Sequence, residues 1–172
     1  MRTWRELPAP NRRWLIVNAL LATAAINALV NWLIALMAVG DHDTVPMWGA
    51  PLVEPSIFWD LIGTLLLLPL ITGALTTAAI HRDVRRGALE PLGQGFAGRG
   101  GAPGWQRGAE LGGVAVAGTA PPLLLILAVL GFPELSSEAF VAWHTGFAVV
   151  LGVLVTPPLA ILAMADPEDG GR

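Results

Sequence analysis

Four long apolar stretches, at about 14–39, 57–80, 109–130 and 140–165, contain no arginine, and the chain has no lysine at all. Each reaches the roughly 20 residues that a helix needs to cross the hydrocarbon core of a bilayer. Lipid offers no partner to backbone N–H and C=O groups, so a spanning segment satisfies them internally as a helix. The runs are continuous, unlike the short alternating segments of a transmembrane barrel. The expected fold is all-α: an integral membrane four-helix transmembrane bundle forming one domain over 1–172.

The arginines orient it. Arg2, Arg5, Arg12 and Arg13 precede the first stretch; Arg82, Arg85, Arg86, Arg99 and Arg107 lie between the second and third; Arg172 ends the chain. Cytoplasmic loops retain basic residues, which predicts both termini and the 82–107 loop inside. The 40–56 and 131–139 loops are then outside. Their surroundings carry Asp41, Asp43, Glu54, Asp60, Glu134 and Glu138 with no basic side chain, a rim that either concentrates cations or is only solvated. The first apolar run continues through Val39, beyond the core of a cleaved signal, and reads as a retained anchor. Arginine without lysine, with abundant Ala, Gly and Pro, suggests a GC-rich bacterial genome and so the cytoplasmic (inner) membrane. Trp14 and Trp105 fall at the inner level and Trp48, Trp59 and Trp143 at the outer, where amphipathic rings prefer to be; Trp32 is deeper and is expected to pack.

Most catalytic chemistry finds no foothold. Without cysteine there are no disulfides, thiolate metal sites or thiol redox steps. Gly93-Gln94-Gly95-Phe96-Ala97-Gly98 spells a dinucleotide motif, but no strand feeds it and no βαβ unit surrounds it, so a chance match in a mobile Gly- and Arg-rich linker is expected. Asp41-His42-Asp43 are adjacent on a turn and converge poorly on one ion. His42, His81 and His144 lie at unmatched depths, which disfavours a bis-histidine haem. No cofactor, metal, nucleotide or nucleic acid is expected, and no enzyme activity.

Polar residues within the spans are more informative, because each is costly without a partner. Asn27 and Asn31 share one face of the first helix. Counting helical rise from the midpoints puts Asn31 level with Thr64, and Asp60 level with His144 nearer the outer surface. Asn31, Asp60, Thr64 and His144 are the candidate substrate- or ion-binding residues of a funnel descending from the outside. Alternatively the asparagines only join helices, and Asp60 only caps the second helix, where the dipole favours its charge.

Pro69, Pro121-Pro122 and Pro157-Pro158 fall inside spans and are expected to kink them, with Thr156 and Thr119 placed to bond loosened carbonyls. Gly108/Gly112 and Gly113/Ala117 are small-xxx-small pairs that admit a close helix, from this chain or another. Phe58, Gly63, Leu65, Pro69 and Leu70 align without gaps on Phe147, Gly152, Leu154, Pro158 and Leu159, a faint parallel repeat. Two functions stay open. One is a small solute or ion transporter or channel, as a homo-oligomer. The other is a non-catalytic accessory or scaffold subunit packed on a partner membrane protein. The bilayer surrounds the chain in both.

Overall fold

The computed structural model describes residues 6–49, 55–92, 102–131 and 133–166. Glu54, the G-x-G-x-x-G segment and the acidic tail from 167 onward lie outside these residues. The protein is all-helical, with four helices long and apolar enough to cross a membrane: α1 (Ala9–Val39), α2 (Ile57–Arg85), α3 (Gly104–Val129) and α4 (Ser137–Met164). The starts of α1 and α3 and the ends of α2 and α4 share one end of the bundle, which holds Arg12, Arg13, Arg82, Arg85, Arg86 and Arg107. This is the arginine end. The opposite end carries none among the described residues.

The helices pack in the spatial order α1–α4–α2–α3, and α1 barely touches α2. The row leaves α1 and α3 as outer helices, largely uncovered by the chain, while α4 and α2 supply most of the buried residues. Trp32, expected to pack, is instead 44% exposed on the outside of α1. That face of α1 has no neighbour in a row of four, so depth along the helix was a poor guide to burial.

Glycine sets the α2–α3 contact. A Cβ on Gly108 would lie 2.2 Å from the Pro69 carbonyl oxygen, and one on Gly104 would lie 2.4 Å from that of Gly73. The backbones therefore approach through the Gly104, Gly108 and Gly112 face, as small residues permit. Pro69 cannot bond the carbonyl of Leu65 within α2, and that carbonyl faces Gly112, 3.1 Å from where a Cβ would stand. Gly113 and Gly118 have open space on the other side of α3. Of the two small-residue pairs, Gly108/Gly112 thus meets the chain's own α2.

Each end is tied by polar contacts. At the arginine-free end, β1 (Thr44–Pro46) pairs antiparallel with β2 (Glu134–Ser136), Val45 opposite Leu135, and joins the two connections there. Val45 and Met47 are buried against Ala35, Ile57 and Phe140. At the arginine end, Asn11 is fully buried; its Nδ2 donates to the Glu90 carbonyl (2.8 Å) and its Oδ1 accepts from the Glu90 N–H (3.2 Å). The Leu92 N–H donates to the Met164 carbonyl at 2.7 Å, so the chain after α2 docks over α1 and α4. Asp166 just beyond α4 accepts from Arg107 of α3 and lies 3.0 Å from Nε2 of His81 on α2. Arg107 is only 5% exposed, and one carboxylate joins three helices there.

Candidate functional site

Because α1 and α2 flank α4 without meeting, they leave a groove of about 660 Å³ between them. On α2 its lining runs from Asp60 to Asp83, about 35 Å by helical rise. Apolar side chains dominate its walls, and its rims are open: Ile26, Val30 and Ile34 on α1 and Leu67, Ile71 and Leu75 on α2 all line it while remaining exposed.

Asn31, Asp60, Thr64 and His144 all line this groove. Asn31 stands on the α1 wall, Asp60 and Thr64 on the α2 wall, and His144 comes from α4 between them. Asp60 and His144 are in contact: Nδ1 of His144 is 2.8 and 2.9 Å from the two carboxylate oxygens. An ionised carboxylate only accepts, so Nδ1–H of His144 donates to Asp60. His144 is 2% exposed, stacks on Phe140 at 6.0 Å, and its buried Nε2 has no partner among the described residues. Asp60 does not cap α2. Ser56 does, accepting from the Trp59 N–H at 3.5 Å, which leaves Asp60 in the first turn with its side chain committed to His144.

Among the described residues, Asn27 and Asn31 make no hydrogen bond to another helix. Asn31 Nδ2 donates along its own helix, to the backbone oxygen of Asn27 at 3.0 Å and its side-chain oxygen at 3.3 Å. This uses the donor group of Asn31 and leaves its side-chain oxygen as an acceptor. Asn27 packs over Gly152 of α4, where an added Cβ would lie 2.2 Å from its Nδ2. Gly152 lets α1 come close enough to form one wall.

Two features of the groove escaped sequence reasoning. Residues Leu15–Ala22 of α1 form a π-helix. Its wide turns leave the Asn18 carbonyl to accept from the Thr23 hydroxyl at 2.9 Å, and Asn18, Ala22 and Thr23 all line the groove. Wide turns of this kind cluster at functional sites, but nothing in the apolar pattern marks one. At the arginine end, Trp14 Nε1 donates to Asp83 (3.1 Å), whose other oxygen accepts from Arg82 (3.1 Å). On α4, the Thr156 hydroxyl bonds the Gly152 carbonyl at 2.6 Å just before Pro157 and also lines the groove.

The turn at Asp41-His42-Asp43 is occupied locally. Nδ1 of His42 is 2.8 Å from the Val39 carbonyl, and the His42 carbonyl accepts from the Ser137 hydroxyl. The groove, not this turn, gathers the polar groups of the spans.

Compared with known proteins, the chain matches no family model, no curated protein and no solved structure.

Proposed function

We propose that this chain is a multi-pass membrane transport protein whose solute pathway is the groove between α1 and α2. The arginine end would face the cytoplasm, following the bias of basic residues in cytoplasmic loops. The Asp60–His144 pair would then stand at the outer mouth, in the cytoplasmic membrane of a bacterium. The carrying observation is the convergence of a carboxylate, an imidazole, an amide and a hydroxyl on one open groove instead of on separate helix contacts. Ionisable groups within spans are expensive unless they serve a pathway or find partners. Here the Asp60 carboxylate keeps 18% of its side-chain surface exposed on the groove, which favours a ligand over a purely structural bond.

Cysteine reactivity tests this directly, since the chain has no cysteine of its own. Single cysteines at Asn31 and Thr64 should react with a membrane-impermeant thiol reagent applied from outside. Leu61 and Ile57, fully buried against neighbouring helices, should not. Equal inertness at all four positions would refute a hydrated pathway.

The accessory reading keeps one specific support. Gly113, Val114, Ala117 and Gly118 form an uncovered face of α3, suited to a close helix from a second copy or another membrane protein. Such a contact is compatible with transport, because it lies on the far side of the row from the groove.

A further inference from the structure

The polar chemistry of the groove narrows its occupant. At the arginine-free end the charged group on the groove is an acceptor: the Asp60 carboxylate, whose side chain is 18% exposed, with the Asn31 side-chain oxygen and the Thr64 hydroxyl on the same groove. Asp60 has no arginine near it, since all described arginines stand at the other end. A carboxylate offers about four lone-pair sites, of which the imidazole uses one or two, whereas a primary ammonium brings three N–H donors and a positive charge. Below this end the walls are Ile26, Val30 and Ile34 facing Leu67, Leu68 and Ile71, with open rims that a hydrocarbon chain passes through sideways. The volume of about 660 Å³ falls within the usual range of ligand pockets, roughly 300–1,000 Å³.

Building on the transport reading, we propose that the groove binds a single-chain cationic amphiphile, its primary ammonium held by the Asp60 carboxylate beside His144 and its alkyl chain lying between α1 and α2. Anionic head groups are excluded from this end by the carboxylate. At the arginine end Arg82 is already paired with Asp83, so it offers a weaker anion site than its charge suggests. Asp60 supplies the counter-charge and the hydrogen-bond acceptor that the hydrocarbon interior lacks, while the alkyl chain exchanges one apolar surrounding for another.

The test compares dodecylamine, dodecanol, dodecanoate and methylammonium as stabilisers of the full chain in phosphatidylcholine nanodiscs, read as a shift in unfolding temperature. A ligand that binds only the folded state raises that temperature in proportion to its affinity. Dodecylamine should give the largest shift, and methylammonium, lacking the chain, little. Asp60→Asn should weaken the response to dodecylamine by about tenfold or more in midpoint concentration, and bilayer partitioning cancels because the nanodiscs are the same. Gly63→Phe provides a second variant that keeps the pair: Gly63 lines the groove and an added Cβ there meets nothing within 4 Å, so the ring is directed to compete with the alkyl chain for the groove. It should abolish the dodecylamine shift in a folded protein. A response to dodecanoate or dodecanol equal to that of dodecylamine, a full response to methylammonium, or an unchanged response in Gly63→Phe would each overturn the proposal. Reactive cysteines at Asn31 and Thr64 beside any of these results would leave the pathway standing and remove only the cationic amphiphile. Inert cysteines would remove the pathway itself.

Discussion

Adding a single methyl group at Gly108 should separate α3 from α2, the helix that its small-residue face meets. The new Cβ would lie 2.2 Å from the Pro69 carbonyl oxygen and 2.7 Å from the Leu70 Cα, both backbone atoms that cannot rotate away. Relief requires α3 to move off α2, and overpacking of this kind costs about 1–3 kcal/mol. Against it stands the gain of up to about 1 kcal/mol from replacing a helical glycine by alanine. Gly113→Ala is the internal control: one turn and a half along the same helix, its Cβ meets nothing within 4 Å, so only the gain applies. The two variants should therefore differ by about 1–3 kcal/mol, roughly five- to more than a hundredfold in the unfolding equilibrium. Unfolding in mild detergent, followed by tryptophan fluorescence against denaturing detergent concentration, measures the difference. Equal stability of the two variants would refute the close α2–α3 approach.

Arg107→Leu should be among the more damaging changes at the arginine end, losing about 1–3 kcal/mol, because it removes the two guanidinium donors of a largely buried carboxylate that keeps its contact with His81. Arg82→Ala, at a pair whose arginine side chain is 54% exposed, should cost only about 0–1 kcal/mol. Asn11→Leu should release the segment after α2, detected as faster hydrogen exchange of the Glu90 and Leu92 amides, because both backbone groups of Glu90 lose their partner. A cysteine at Ala88 should react with an impermeant reagent only in inverted vesicles and one at Asp43 only in intact cells; the reverse pattern would invert the proposed orientation.

The sequence disclosed its four helices because long apolar runs leave a chain few alternatives in lipid, and their observed ends differ by a few residues from expectation. Gly104 shows one such shift: the expected third run started at 109, yet this glycine opens α3 and belongs to the contact face with Gly108 and Gly112. Helical rise placed Asp60 and His144 at one depth, but azimuth around each helix had to come from the tertiary arrangement. The same missing information misjudged Trp32, which faces outward from α1. The contacts of Asn11 with Glu90 and of Arg107 with Asp166 span 79 and 59 residues, and no local pattern encodes such pairings. The two short strands are equally silent, since Thr44–Pro46 and Glu134–Ser136 are three residues each and alternate too briefly to register.

The groove as a binding site is tested most directly by crystals grown in a lipid mesophase with a dodecylamine carrying bromine at its chain end. Anomalous scattering then locates the bromine without reference to the rest of the ligand. The expected result is a peak between α1 and α2, near Ile26, Val30, Leu67 and Ile71, with ammonium density against the Asp60 carboxylate beside His144. Bromine found only on the outer faces of α1 or α3, with α1 closed onto α2 and no density beside His144, would contradict it.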